Sequence, residues 1–163
     1  MCKRLLIVVL MMSVFAGKAQ LTEADSLTSL LQKAGQDSVR ANILNQLGPL
    51  YIQEDPEKAL KYLNEAHDLS VQIGYHAGAG LALKNLGILN FYSSRYSPAI
   101  KFYQESLKYL DSTGNDSLKG LVLSNIGAAY FQMSEDSKAV DYYLRSMKIA
   151  EMIKDTERIA TLY

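Results

Sequence analysis

Side chains of the kinds used for catalysis and metal binding are sparse in this sequence. The two histidines, His67 and His76, each lack a second histidine or a cysteine at the spacing of a zinc site. Carboxylates such as Glu135 and Asp136 are scattered over predicted helices and turns, where they do not form an acid–base pair. A glycine-rich phosphate loop with its Lys-Ser/Thr ending is absent. The sequence therefore predicts no catalytic residue, no metal site and no cofactor.

Two asparagines offer a different chemistry, that of binding. Asn85 and Asn125 share a local context, because each directly precedes a Leu-Gly or Ile-Gly pair. An amide side chain has two donor hydrogens and one acceptor oxygen, so it can hydrogen-bond both halves of a peptide unit. The alternative is that both asparagines tie neighbouring helices together, and the sequence leaves the two roles open.

The two asparagines belong to a longer internal repeat. Gly48, Gly87 and Gly127 follow each other at a nearly constant interval of about 40 residues. Further landmarks recur with the same period, first small, then bulky, then small again: Ala59, Ala99 and Ala139; Leu63, Tyr103 and Tyr143; Ala66, Ser106 and Ser146. A fixed period of this length indicates a repeat array that buries its core by stacking units.

Each unit has the apolar periodicity of two α-helices with a turn between them. Asp55-Pro56 and Ser97-Pro98 each predict a capping side chain followed by proline at the first helical position. Gly74 and Gly114 suit the left-handed residue that ends a helix. Pro49, in contrast, falls inside a predicted helix and should kink the first unit.

The glycines inside the first helix of each unit need a reason, because each costs about 1 kcal/mol relative to alanine. Their common phase predicts a close approach in which the second helix packs against bare backbone. The recurring alanines would supply the small side of this contact, and the bulky residues after them would fill the space between units. Repeated helix-pair angles generate a superhelix, so the predicted fold class is an all-α solenoid.

These landmarks resemble those of the tetratricopeptide repeat. Leu47-Gly48, Leu86-Gly87 and Ile126-Gly127 resemble the family's Leu-Gly pair, and Tyr51 and Tyr130 match the tyrosine one helical turn later. The second unit departs there, with Asn90 in that place. The resemblance covers residues 38–154 and implies an α-α superhelix of helix-turn-helix units that binds a protein or peptide and is not an enzyme.

The repeat length distinguishes this chain from most of that family. A period of about 40 residues, rather than the usual 34 or so, is similar to the long repeats of kinesin light chains and of bacterial peptide-sensing regulators. HEAT repeats, the all-helical alternative, have a similar length but lack the Leu-Gly and alanine landmarks. The resemblance is therefore to exported bacterial repeat proteins and to the sensor regions of bacterial regulators.

A concave surface is the predicted binding site, because the first helices of a helix-pair solenoid line its inner side. The residues on that face, opposite the packing stripe, are Asn45, Lys84, Asn85, Ile88, Phe91, Ser124, Asn125, Ala128 and Phe131. In similar repeat proteins an asparagine at the position of Asn85 and Asn125 bonds the main chain of a bound peptide. Phe91 and Phe131 would supply apolar pockets between these amides, and Lys84 is the one ionisable residue of the set.

Residues 1–19 have the pattern of a secretory signal peptide. Lys3 and Arg4 precede the apolar run 5–15, and small residues then lead to a predicted cleavage after Ala19. The run is shorter than the roughly 20 residues of a membrane span. An uncleaved N-terminal anchor is the alternative. The chain is therefore expected to be exported, either periplasmic or secreted.

Charge and cysteine content narrow the range of partners. Cleavage would remove Cys2 and three of the 17 basic residues, which leaves 14 basic against 17 acidic residues and no cysteine. A disulfide framework is then excluded, and a surface of this charge does not favour nucleic acid, whose phosphates require a basic surface. A protein or peptide of unknown identity is the expected partner.

The repeat divides the rest of the chain into a cap and a series of units. A capping helix is predicted in residues 20–37, and the repeat domain covers 38–163, with units at 38–75, 76–115 and 116–155 and a partial fourth unit at 156–163. Because that last unit is partial, the outer face of the third unit, around Val140 and Tyr143, is expected to be uncovered. The sequence is therefore either a fragment of a longer protein or a chain that self-associates at this end.

Three functions are compatible with these features. The first is a peptide- or protein-binding scaffold outside the cytoplasm. The second is an extracytoplasmic sensor module of a histidine kinase or DNA-binding regulator, which would use the same groove. The third, a hydrolase with a carboxylate pair, needs an acid or base in the groove beyond Lys84.

Overall fold

The computed structural model describes residues 23–153, which form helices joined by short turns and contain no strand. The helices, in chain order, are α1 (23–33), α2 (Ser38–Tyr51), α3 (Pro56–Gln72), α4 (His76–Tyr92), α5 (Tyr96–Leu110), α6 (Asp116–Gln132) and α7 (Asp136–Met152). Helices α2–α3, α4–α5 and α6–α7 pack as pairs, and each pair stacks on the next. The all-α solenoid predicted from the sequence is confirmed. The predicted signal peptide and partial fourth unit lie outside the described residues.

Turn chemistry sets where the helices begin and end. Asp55 caps α3 by accepting a hydrogen bond from the Lys58 backbone N–H at 3.0 Å. Gly74 and Gly114 have φ angles of 68° and 66°, the left-handed conformation expected of them. Ser94 and Ser134 adopt the same conformation in the turns inside the second and third units, although serine rarely does.

The predicted start of α5 at Ser97-Pro98 is wrong. The helix begins at Tyr96, after Arg95, whose side chain makes no capping hydrogen bond. The turn is closed instead by backbone, since the Arg95 N–H donates to the Asn90 carbonyl at 2.9 Å. Pro98 lies in the first helical turn, where backbone N–H groups have no acceptor within the helix, so its missing N–H is tolerated.

The three landmark glycines each receive a bulky side chain from the second helix of the same unit. A Cβ atom on Gly48 would overlap Leu63, and one on Gly87 would overlap the Tyr103 ring. At Gly127 it would lie 2.9 Å from two ring carbons of Tyr143. The second helix therefore packs against the bare backbone of these glycines, as predicted, and its nearest group is the bulky landmark side chain. A bulky side chain of the second helix thus lies directly on each of the three glycines.

Tyr103 also joins neighbouring units, as expected of the bulky landmarks. It is 1% exposed and shares one core cluster with Val122 and Ile126 of α6. The small landmarks Ser106 and Ser146 do more than save space, because each donates a buried hydrogen bond to the first helix of its own unit. Their acceptors are the carbonyls of Gly80, at 2.6 Å, and Gly120, at 2.7 Å.

The outer face of α7 differs from that of the preceding unit. Ile100 in α5 is 6% exposed under α6, whereas Val140, at the equivalent position of α7, is 55% exposed. Leu144 and Met152 of the same helix are exposed as well. No helix in residues 23–153 is both long enough and apolar enough to cross a membrane.

A candidate binding groove

Two adjoining pockets run along the first helices of the units, and together we call them the groove. The first pocket, about 400 Å³, lies between the end of α2 and α4. Its lining consists of Pro49, Leu50, Ile52, Gln53, Glu54, Lys84, Asn85, Ile88 and Tyr92. The second pocket, about 170 Å³, lies between α4 and α6 and is lined by Ile88, Phe91, Tyr92, Tyr103, Asn125 and Ala128. Because Ile88 and Tyr92 line both pockets, the two form one continuous surface.

The structure places most of the predicted site residues in this groove. Those lining it are Lys84, Asn85, Ile88, Phe91, Asn125 and Ala128. Asn45, Ser124 and Phe131 line neither pocket. Asn45 is 3% exposed and donates from Nδ2 to the Gly78 carbonyl at 3.1 Å, so its amide is used inside the stack. Phe131 lies on the open surface, 60% exposed.

Sequence reasoning missed one wall of the groove. Ile52, Gln53 and Glu54 come from the turn after α2, and the exposed ring of Tyr92 comes from the last residue of α4. Their signal in the sequence was the turn itself, since residues after the end of one first helix can reach the next first helix. Glu54 also corrects the expectation that Lys84 is the only ionisable residue of the groove.

Asn85 has a structural task that Pro49 explains. In an α-helix the Asn45 carbonyl would accept a hydrogen bond from the N–H of residue 49, but proline has none. The Asn85 Nδ2 reaches across from α4 and donates to that carbonyl at 3.2 Å. Helix α2 therefore continues through Pro49 to Tyr51. Asn85, which is 2% exposed, ties the first two units together.

Asn125 occupies the same repeat position but is not used in that way. Its potential acceptor is the Asn85 carbonyl, and the residue one helical hydrogen bond after Asn85 is Leu89, which has its own N–H. That carbonyl therefore needs no outside donor. The half-buried Asn125 side chain forms no hydrogen bond within residues 23–153 and lines the second pocket. Its amide is available to a ligand.

Lys84 carries an uncompensated charge in the first pocket. Its side chain is half-buried and makes no ion pair or hydrogen bond among the described residues. Burial lowers the pKa of the Lys84 ammonium below its ordinary value, because desolvation disfavours the charged form. Glu54 lines the same pocket but is exposed and forms no ion pair with Lys84 in residues 23–153.

Aromatic rings form the apolar part of the groove. Phe91 packs edge-on against Tyr92, with 6.1 Å between ring centroids, and against Tyr96, at 5.4 Å. Tyr92 is 61% exposed and flanks both pockets. Tyr103 lies at the base of the second pocket, and burial raises the pKa of its phenol, which stays neutral. The second pocket is therefore an uncharged cleft with one free amide.

The groups that could support metal chemistry lie elsewhere. Within residues 23–153 no three His, Cys, Asp or Glu side chains are placed to hold a metal ion. His67 contacts Asp68, with 3.2 Å between Nδ1 and Oδ1, and His76 contacts the Ser112 hydroxyl at 2.9 Å. Neither histidine lines the groove.

The fold can now be compared with known proteins. Its distinguishing features are the paired helices, the glycines that each contact a bulky side chain, and the groove along the first helices. Residues 39–112 match the tetratricopeptide repeat family. This region of the chain belongs to the tetratricopeptide repeat family. Residues 113–153 continue the same landmarks in α6 and α7. No curated protein matches the chain.

Solved structures show the same fold at low sequence identity. Aspartyl phosphate phosphatase F from Bacillus subtilis superposes with a TM-score of 0.76 at 15% identity, over 89% of this chain and 42% of that one. BtubC (BKLC) from P. vanneervenii superposes with a TM-score of 0.71 at 17% identity, over 90% of this chain and 61% of that one. This chain thus spans less than two thirds of either protein.

Proposed function

We propose that this tetratricopeptide repeat protein is a scaffold that binds a protein segment or peptide in the groove. The observation that carries the proposal is the contrast between two equivalent amides. The Asn85 amide donates a hydrogen bond to the Asn45 carbonyl. The Asn125 amide has no hydrogen bond within the described residues and lies in an apolar cleft. An amide that lines a cleft without a protein partner can bond a ligand, and a peptide main chain offers both a donor and an acceptor.

Site-directed photocrosslinking in cells tests this proposal. A photoreactive phenylalanine analogue at Tyr92, in the groove, should give a discrete crosslinked protein band. The same analogue at Lys101, exposed on α5 and outside both pockets, should not. Asn125→Ala should reduce the Tyr92 crosslink while the far-ultraviolet circular dichroism is unchanged. Equal crosslinking from Tyr92 and Lys101, or none from Tyr92, would remove the groove as the binding surface.

We further propose that the scaffold works outside the cytoplasm, on the evidence of the basic start, the apolar run and the small residues that precede Gln20. Expression of the full chain in a bacterium should yield a mature protein that begins at Gln20 and is recovered from the periplasm or the medium. Intact-mass measurement of each cell fraction checks this. A protein recovered only from the cytoplasm with Met1 retained would contradict it.

A sensor module would use the same groove, so the binding experiments do not separate it from a free scaffold. The two differ in the segments beyond the repeats. A membrane-spanning stretch of about 20 apolar residues and a kinase or DNA-binding domain after the repeats would favour the sensor.

A further inference from the structure

The two interfaces between stacked units are held by different kinds of contact. We call the packing of α2 and α3 against α4 and α5 the first interface, and the packing of α4 and α5 against α6 and α7 the second interface. Three side-chain hydrogen bonds cross the first interface: Asn85 Nδ2 donates to the Asn45 carbonyl at 3.2 Å, Asn45 Nδ2 to the Gly78 carbonyl at 3.1 Å, and the Tyr75 hydroxyl to Asn42 Oδ1 at 3.1 Å. Because each hydrogen bond requires a particular distance and direction, the three together fix the angle between the first two units.

The hydroxyl–amide bond has no counterpart at the second interface, because the sequence changes at both of its positions. Ala82 stands 40 residues after Asn42 and carries no polar group. Asn115 stands 40 residues after Tyr75, and its Oδ1 accepts a hydrogen bond from the Leu118 backbone N–H at 3.0 Å. The side chain that would reach across the second interface is therefore used to cap α6.

The two amide bonds are not repeated at the second interface either. Asn85 occupies the repeat position of Asn45, but its amide donates back across the first interface. Asn125 occupies the repeat position of Asn85 and makes no hydrogen bond in the part of the chain that the structure describes. The directional contacts that fix the first interface are thus specific to it.

Apolar packing holds the second interface instead. Ile100 and Tyr103 of α5 share a core cluster with Val122 of α6. The Lys119 ammonium also lies 3.2 Å from the Asp111 carboxylate across this interface, but Asp111 is exposed, and an exposed ion pair contributes little free energy. Apolar contacts have no preferred direction, so packed helices can slide against each other by a small distance and keep them.

We propose that the first two units form one rigid block and that the third unit shifts relative to it by sliding of the helices at the second interface. Shifts of packed helices are about 1–2 Å. The second pocket lies between α4 and α6, across the movable interface, whereas the first pocket lies between the end of α2 and α4, across the fixed one. The motion changes the width of the second pocket alone. It is a property of the free protein and does not depend on the proposed function.

Distances between paired spin labels test this proposal. Lys61, Lys101 and Asp141 are exposed and occupy the same repeat position on α3, α5 and α7. Cys2 is the only cysteine of the chain, so labels can be attached to introduced cysteines in the full chain with Cys2→Ser. The first-interface pair is Lys61→Cys/Lys101→Cys, and the second-interface pair is Lys101→Cys/Asp141→Cys. Pulsed double electron–electron resonance should give a distance distribution for the second-interface pair that is broader by about 1–2 Å.

Variants assign the difference to the hydrogen bonds of the first interface. Tyr75→Phe/Asn85→Ala should broaden the distribution of the first-interface pair until it matches that of the second-interface pair. Tyr75→Phe alone removes only a hydroxyl group, so it should broaden the distribution part of the way, and it serves if the double variant does not fold. Asn125→Ala is the matched control, because it removes an amide at the same repeat position without removing a hydrogen bond, and it should leave both distributions unchanged.

Two results would overturn the proposal. One is a distribution for the first-interface pair that is as broad as that of the second-interface pair, or broader. The other is a first-interface distribution that stays narrow in both Tyr75→Phe/Asn85→Ala and Tyr75→Phe, with unchanged circular dichroism as evidence that they fold. Neither result bears on peptide binding, which the crosslinking experiment tests separately.

Discussion

Gly87→Ala is expected to lower the free energy of unfolding by about 2 kcal/mol. The added methyl group would overlap the Tyr103 ring, which is 1% exposed and enclosed by α4, α5 and α6. Overpacking of a closed core site typically costs about 1–3 kcal/mol and occasionally more, while alanine recovers about 1 kcal/mol of helix propensity. The cost should exceed the gain because the ring is packed among three helices and is almost fully buried. Urea unfolding followed by circular dichroism measures the difference.

Gly127→Ala is the matched control for this prediction. It makes the same change at the same repeat position, but Tyr143 is only half-buried, on the outer side of the last described helix pair. That ring can move aside, and the Ala139 carbonyl, 3.2 Å from the added Cβ, needs to shift by only a few tenths of an ångström, so the cost should be much smaller than at Gly87. Equal destabilisation by the two substitutions would show that enclosure of the ring does not determine the cost. The double variant Gly87→Ala/Tyr103→Ala should show coupling, whereas substitutions at independent sites would add.

The repeat architecture could be predicted because its determinants are local and recur. Glycine, alanine, and tyrosine or leucine at fixed offsets record which positions pack closely, and a second copy of each position lies in the next unit. The identity of the filling group could not be read in the same way. Tyr103 and Tyr143 lie on the helices after those of Gly87 and Gly127, and only the helix-pair geometry shows that their rings sit on those glycines.

Helix ends were less predictable than helix positions. Asp55 caps α3 as expected, because its side chain is adjacent to the backbone N–H groups that it satisfies. At Ser97-Pro98 the same motif was misleading, since the turn is closed by the Arg95 N–H and the Asn90 carbonyl before the serine is reached. Backbone hydrogen bonds of this type are made by every residue except proline, so they leave no signature in the sequence.

The sequence predicted which face of α4 lines the groove, but not which residues of other elements complete the groove. Helical periodicity placed Lys84, Ile88 and Phe91 of α4 on one side of that helix, and all three line the groove. The same periodicity could not supply Glu54 and its neighbours, because the reach of a turn toward the next unit depends on how the units stack. The predicted binding face also included Asn45, whose amide instead donates a hydrogen bond to the Gly78 carbonyl inside the stacked helices.

The difference between Asn85 and Asn125 was the hardest feature to predict, although its cause is visible in the sequence. The two asparagines have the same local context, an amide before an apolar residue and glycine. The difference lies in the unit that precedes each asparagine. Before Asn85, Pro49 has no N–H and leaves the Asn45 carbonyl without a helical donor. Before Asn125, Leu89 has an N–H and can satisfy the Asn85 carbonyl. A proline inside a helix therefore identifies a carbonyl that another element must satisfy.

Asn85→Ala is accordingly expected to cost about 2 kcal/mol of unfolding free energy in the natural sequence and less than about 1 kcal/mol in a Pro49→Ala background. In the natural sequence the truncation leaves the Asn45 carbonyl buried without a donor. Alanine at position 49 restores the N–H that the helix lacks, so the carbonyl no longer depends on α4. The coupling free energy from the double-mutant cycle, measured by urea unfolding, should be about 1–2 kcal/mol.

Asn125→Ala completes that experiment, because it removes the same amide from a position where no carbonyl depends on it. Its cost should stay within about 0.5 kcal/mol in either background, as for a substitution away from any structural hydrogen bond. The three variants together distinguish a structural role from a binding role. Asn85 should affect stability through Pro49 in the neighbouring unit, whereas Asn125 should affect ligand binding without affecting stability. If Asn85→Ala costs the same with proline or alanine at position 49, the tie between the first two units does not act through the Asn45 carbonyl. The groove would then contain two equivalent amides, and binding would have to be sought at both.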